Sequence, residues 1–382
     1  MSVKIGFVYF DSPHIVPHFI GTVAELVHHF PDVDVKILVP EIKHDYLEKK
    51  MKELDIPSSV MKPLSTYWWK KIAYSIQGRT KPSNRFIFYK HKDYLRSFDL
   101  LAFNVFNHMH IKEIKNDGVK FVFLMHGAGD RHYPFAPEYK PFIEQFDLVT
   151  TAGPKINRMF KAMGAFPHTE FKICGYPKLD VVSAKREKFF ENNNPVVVYN
   201  PHFERNFSSF EDWGLKVLEF FAAHKQYNLI FAPHINLFNP EKRLALSRDT
   251  IPARFFDKKN ILIDFGSEKS VDMTYLKSSD IYLGDMSSQI YEFLLTGIEK
   301  PSIFLNSKRV SWEGNPFFNH WQLGKVIDDF EQLGSVLEKA EKWVGDYKEI
   351  RKQMLDDTFD VNPGKKATRR VAETLYELAR SR

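Results

Sequence analysis

The chain has 382 residues and a mass of 44.8 kDa, too long for one typical domain and a natural length for two. Hydrophobic residues make up 43% and charged residues 27%, enough apolar material for buried cores and no compositional case for disorder. No apolar run approaches the roughly 18–20 residues of a membrane span, and the opening MSVKIGFVYF lacks a secretory apolar segment. A single cysteine, Cys174, rules out an internal disulfide or a cysteine-based zinc site and is assigned to packing, which fits a reducing cytosol. The net charge of +6 suits an anionic partner without naming one.

Short Val-, Ile- and Phe-rich runs predict strands over 4–10, 33–39, 99–106, 120–126, 147–153 and 171–177. Amphipathic stretches between them predict helices over 17–30, 43–54, 139–146 and 154–163. Residues 178–194 are charged and end in an Asn run, as an interdomain helix plus linker would. The rhythm then repeats, with strands over 195–200, 228–233, 260–265, 281–285 and 302–306, and helices over 209–224, 239–247, 270–279 and 287–297. After 330 the pattern is helical, over 331–343, 345–357 and 366–381. Continuous apolar strands alternating with helices indicate parallel sheets covered on both faces. The fold class is therefore α/β, with two Rossmann-like domains and a C-terminal helical segment returning to the first. An eight-stranded barrel is the alternative. The expected domains are 1–178, 179–360 and a terminal helix over 361–382.

Open parallel sheets bind ligands beyond the carboxyl ends of their strands. Four strand ends carry chemistry. His126-Gly127-Ala128-Gly129-Asp130-Arg131-His132 follows one strand; its glycines allow a tight backbone turn, and His126 can act as a base near neutral pH. A turn with a hydrogen-bonded histidine explains it equally well. Asn200-Pro201-His202, with Arg205, suits phosphate contact or a solvated loop. Pro233-His234 aims an imidazole away from its sheet, or serves structure alone. The most specific run is Gly284-Asp285-Met286-Ser287-Ser288, ahead of a helix bearing Glu292. Asp285 or Ser287 can cap that helix, or the first-turn N–H groups and two hydroxyls can cradle phosphate. Glu292 can reach a ribose. Neither a Walker-type loop nor GxGxxG is present.

These residues resemble the CDP-glycerol glycerophosphotransferase family of teichoic-acid and capsule synthesis. The match rests on His126-Gly127, Gly175-Tyr176-Pro177-Lys178-Leu179-Asp180, Asn200-Pro201, Pro233-His234, and Asp285-Met286-Ser287-Ser288 with Glu292, in order across 120–306. The resemblance implies a GT-B fold with the nucleotide in the C-terminal domain, and transfer of glycerol phosphate from CDP-glycerol with release of CMP. It implies His126 as base on the acceptor hydroxyl and His234 against the donor diphosphate, both catalytic. Asp285, Ser287 and Ser288 would bind phosphate or glycerol and Glu292 would sit near the ribose; Gly127, Asn200 and Arg205 are added to the expected donor site from their place at the strand ends. Two positions depart from the family pattern: Ala128-Gly129-Asp130-Arg131 replaces a stretch that commonly carries lysine, and His202 replaces a common threonine.

Residues 66–96 interleave basic and aromatic side chains, among them Trp68, Trp69, Lys70, Lys71, Arg79 and Lys81. This composition describes a membrane-surface or acceptor-gripping patch, a single-strand nucleic-acid surface, or a plain excursion with core aromatics and solvated lysines. The expected protein is a cytoplasmic transferase, peripheral at the inner membrane face, using a CDP-alditol donor and a lipid-linked or polymeric glycan acceptor. The alternatives are a nucleotide-sugar glycosyltransferase on the same fold and a non-catalytic membrane- or polyanion-binding protein. No nucleic-acid motif accompanies the basic residues. No prosthetic group is expected and no metal-ligand spacing is present, although a divalent cation is compatible with the chemistry.

Overall fold

The computed structural model describes residues 2–10, 12–76, 83–105, 114–115, 118–130, 134–182, 185–240, 245–360 and 364–381, the side chains of 71 and 73–75 aside. Arg79, Lys81, the Lys71 side chain, Arg131, His132 and the middle of the helix expected over 239–247 lie outside the described residues.

The chain divides into two compact units. The first holds a seven-stranded parallel sheet of order β3-β2-β1-β4-β5-β6-β7. Its strands are β1 (Val3–Val8), β2 (Val33–Pro40), β3 (Met61–Leu64), β4 (Leu100–Phe103), β5 (Lys120–Leu124), β6 (Leu148–Thr151) and β7 (Glu170–Ile173). The second holds six parallel strands in the order β10-β9-β8-β11-β12-β13. These are β8 (Val196–Asn200), β9 (Asn228–Phe231), β10 (Ile261–Ile263), β11 (Ile281–Gly284), β12 (Ser302–Leu305) and β13 (Lys325–Ile327). Both are doubly wound sheets, so each reverses direction once. The reversals fall between β1 and β4 and between β8 and β11.

The strands are continuously apolar because both faces are covered. In the second unit Val197, Tyr199, Leu229, Phe231, Leu283, Ile303 and Leu305 pack with Val217, Leu218 and Phe221 of the helix Leu215–Ala223. The eleven expected strands are all present, and two more, β3 and β13, extend the sheets at their edges. The first is MKPL, mostly solvent-facing, with a proline tolerated only at an edge; the second has three residues. Neither carries the long apolar run that marks a central strand.

The unit boundaries differ from the expected ones. Residues 1–126, 133–182 and 356–382 form the first unit, and 127–132 with 183–355 form the second. The helix Ala367–Arg380 buries Val371, Ala372 and Leu375 in the first unit. Thr368 N–H donates to the Asp180 carboxylate at 2.8 Å, and Tyr376 OH donates to Asp32 at 2.8 Å. The expected interdomain helix is short, Lys178–Val181.

Candidate functional site

In the second unit the direction reversal sets Asn200, the last residue of β8, in register with Gly284, the last of β11. Their side chains and the residues that follow build a frame. Asn200 Nδ2 donates to Ala232 O at 2.7 Å, and its Oδ1 accepts from the Ser287 hydroxyl at 2.9 Å. Asp285 is fully buried. Its carboxylate accepts from His202 N–H at 2.8 Å, Ser209 N–H at 2.6 Å and the Ser209 hydroxyl at 2.8 Å. Burial pushes the carboxyl up to about 6 against those donors. Trp321 Nε1 donates to the Asp285 carbonyl at 3.1 Å.

Several of the expected donor-site residues hold one another in place. The polar atoms of Asn200, Asp285 and Ser287 fasten the loops after β8 and β11 to each other, so they shape the crevice. Asp285 does not cap the following helix; Ser287 Oγ accepts from Gln289 N–H at 3.3 Å. That helix, Gln289–Leu295, has about two turns, and Glu292 is buried on it. Arg205 pairs with Glu211 at 3.0 Å on an exposed stretch, so its guanidinium stabilises the loop.

The loops so held carry two imidazoles. His202 Nδ1 accepts from Glu204 N–H at 3.1 Å, and His234 Nδ1 accepts from Asn236 N–H at 3.1 Å. A backbone N–H only donates, so each ring keeps its lone pair at Nδ1 and its proton at Nε2. The ring centroids lie 5.7 Å apart, and His234 N–H donates to Pro201 O at 3.0 Å. In the sequence His202 stands only as part of the Asn200-Pro201-His202 run, with no role of its own. Its signal was the departure from threonine directly after a strand end.

Ser288, half-buried, lies against the glycine loop. A Cβ on Gly129 would stand 2.9 Å from the Ser288 Cβ, and Gly127 adopts φ +83°, so both positions suit glycine. Asp130 anchors this loop within the second unit. Tyr291 OH donates to its Oδ2 at 2.5 Å, and His320 Nδ1 lies 3.5 Å from the same oxygen. Neither Tyr291 nor His320 was marked in the sequence, because their partner lies more than 150 residues away in the chain.

In the first unit, His126 follows β5, and its Nδ1 lies 2.5 Å from the Asn104 carbonyl at the end of β4. A carbonyl only accepts, so the proton sits on Nδ1 and the lone pair on Nε2, opposite to His202 and His234. Two further histidines face it. His14 and His18 come from the turn Pro13–His18 after β1, with ring centroids 6.2 and 5.9 Å from that of His126. The Pro-His-x-x-Pro-His repeat directly after the first strand was the missed signal. His18 packs against Tyr176 at 5.2 Å and is held well below the usual imidazole range by burial, Lys178, His126 and His14. Lys178 is also buried. Among the described residues, no group of three or more His, Cys, Asp or Glu could hold a metal ion.

Also in this unit, the helix Trp68–Ile76 turns large apolar side chains to solvent: Trp68 is 73% exposed, Trp69 46%, Ile72 53% and Ile76 82%. Lys70 lies over the Trp69 ring at 4.5 Å. Ile87 and Phe88, from the same basic segment, are core.

Two doubly wound parallel domains define a GT-B-type α/β enzyme fold, and solved structures share it at low identity. A putative UDP-N-acetylglucosamine 2-epimerase from Listeria monocytogenes matches with a TM-score of 0.64 and 13% identity, over 97% of this chain and 95% of its own. UDP-GlcNAc 2-epimerase from Neisseria meningitidis, bound to UDP-GlcNAc, gives 0.60 and 14% over 98% and 100%. A glycosyltransferase from Rickettsia africae gives 0.54 and 14% over the full length of both chains. No curated protein sequence matches. The family model of CDP-glycerol:poly(glycerophosphate) glycerophosphotransferase matches residues 40–377, nearly the whole chain. The chain belongs to that family and is an enzyme of the glycerophosphotransferase type.

Proposed function

We propose that this enzyme transfers glycerol phosphate, or a similar alditol phosphate, from CDP-glycerol to a hydroxyl of a lipid-linked or polymeric glycan acceptor. The opposed protonation of its strand-end histidines carries the reading. His126 Nε2, with its lone pair, takes the proton of the acceptor hydroxyl. The hydroxyl oxygen then bonds to the glycerol-bearing phosphorus as the P–O bond to the cytidylyl phosphate breaks, and CMP leaves with the electron pair. The Nε2–H groups of His202 and His234, with the Ser288 hydroxyl, donate to diphosphate oxygens where charge collects. The family membership supports the donor type and a glycan acceptor.

Incubation with CDP-glycerol, CDP-ribitol, UDP-glucose and UDP-GlcNAc tests the donor. A CDP-alditol is expected to stabilise the fold, by about 2.7 kcal/mol at a hundredfold excess over Kd, and to release CMP once an acceptor is supplied. Stabilisation by a UDP-sugar alone would move the enzyme to the glycosyltransferases.

The exposed face of Trp68–Ile76 is part of this proposal. Indole rings and isoleucines beside lysines suit an anionic bilayer surface, and no helix among the described residues is long and apolar enough to cross one. The face would hold the enzyme at the cytoplasmic leaflet, where a lipid-linked acceptor resides. At about 1 kcal/mol per side chain, the triple variant Trp68→Ser, Ile72→Ser, Ile76→Ser is expected to bind phosphatidylglycerol vesicles roughly a hundredfold more weakly. Unchanged co-sedimentation would remove the membrane role and leave the transfer chemistry standing.

A further inference from the structure

After β7 the chain reads Gly175-Tyr176-Pro177-Lys178-Leu179-Asp180, a run to which the transfer chemistry gives no part. Asp180 fastens its end by accepting from Thr368 N–H. Its middle faces the histidines of the same unit. The Tyr176 ring meets that of His18 edge-on at 5.2 Å, and the His18 ring meets that of His126 edge-on at 5.9 Å. The charged and titratable groups acting on His18 are Lys178 from the helix after β7, His126 from the end of β5, and His14 from its own turn, all basic. Lys178, like His18, is buried.

The two facing rings differ in what they offer a second ring proton. An imidazolium donates from both nitrogens, and a buried N–H without an acceptor is costly. His126 is half-buried and its Nδ1–H already has the Asn104 carbonyl, so its charged form needs only water or substrate at Nε2. His18 is buried, and its Nδ1 has no hydrogen-bond partner among the described residues. A second proton there would lack both water and an acceptor, and would stand beside an ammonium. We infer that Tyr176 and Lys178 hold His18 as an uncharged neighbour of the base, so that the proton taken from the acceptor hydroxyl stays on His126 until solvent removes it. This rests on the transfer reading above. Two imidazoles in ring contact titrate as a pair unless their surroundings separate them, and a proton resting on His18 would oppose the charge that forms on His126. Burial against Tyr176 and the Lys178 charge make that separation. Both are positioning residues, acting on the reaction through His18.

Full-length protein with isotope-labelled histidines is titrated by NMR from pH 5.5 to 8, each ring being assigned by the signal lost in His18→Phe or His126→Asn. Over the same range, kcat/KM for CMP release is followed with CDP-glycerol and poly(glycerol phosphate). In the parent, the His126 signals are expected to titrate and those of His18 to stay fixed. In Lys178→Met, His18 is expected to charge as the pH falls and to oppose protonation of the base. The acidic limb of kcat/KM then moves up by about one pH unit, the usual effect of a neighbouring charge. Lys178→Arg, which keeps the charge, is expected to restore the parent limb. A lysine needed for folding alone would lower activity alike at every pH. Titration of His18 near neutrality in the parent, or an unmoved limb in folded Lys178→Met, would overturn the inference. Should Lys178→Met fail to fold, the parent titration decides by itself. A silent His18 beside a titrating His126, in a protein that releases no CMP, would count against the transfer reading and leave the assignment of charge standing.

Discussion

His126→Asn is expected to lower kcat by roughly a thousandfold, the usual worth of a positioned general base. An Asn side chain can keep an amide donor toward the Asn104 carbonyl, the contact that Nδ1 makes at 2.5 Å, so the local backbone has no reason to move. What it lacks is the second nitrogen, whose lone pair would receive the proton in the proposed transfer. The loss is therefore expected in kcat, with CDP affinity unchanged. The same substitution at His202 or His234 removes the Nε2–H that the proposal directs at the diphosphate, and is expected to raise the donor KM as well. Release of CMP, followed at varied donor and acceptor concentrations, separates the two cases. A drop of less than tenfold for His126→Asn would mean that another group accepts the proton.

Asp285 is expected to show its burial in the stability of the fold. Its carboxyl is pushed up to about 6 by desolvation, well above the value it would have in an unfolded chain. The folded protein therefore binds a proton more readily than the unfolded one between about pH 4 and pH 6. The contribution of this group is fully present below the unfolded value and is lost as pH rises through the folded one. The difference amounts to about 3 kcal/mol across that window. Urea unfolding at pH 4 to 7 should show a fall in the parent that Asp285→Asn lacks, because an amide does not titrate there. Parallel profiles in both proteins would mean that the carboxyl titrates normally. Asp285→Ala goes further and leaves His202 N–H, Ser209 N–H and the Ser209 hydroxyl without their acceptor. Its expected cost is about 3 kcal/mol at pH 7, accompanied by weaker donor binding as the loop carrying His202 loses its anchor.

These two residues differ in how much of their role the sequence carries. A histidine followed by glycines at the end of an apolar run marks His126 by local pattern alone, and the tautomer follows from one neighbour at the end of β4. Asp285 carries an equally clear local signal, which fits a helix cap or a phosphate cradle alike. Its partners lie 76 and 83 residues away, and only the pairing of β8 with β11 brings them to it. The ion pair of Arg205 depends on the fold in a similar way. Its Glu211 neighbour is close in sequence, yet nothing in the spacing says that the loop turns the two together.

What the sequence determined by itself is the alternation of apolar runs and amphipathic segments, and hence two parallel α/β domains. Burial on both faces of a central strand forces that pattern into the chain, whatever the topology. It also determined the strand-end residues, since a parallel sheet delivers them to one edge. The edge strands β3 and β13 escaped it, because a strand paired on one side needs no long apolar run. Which strand ends share a crevice was a matter for the tertiary structure. The order of strands depends on crossover connections, and those are decided by packing rather than by any local propensity. Only that order sets Asn200 beside Gly284, and His14 and His18 beside His126. With the neighbours came the direction of each ring proton, and with it the division of the histidines into one acceptor and two donors.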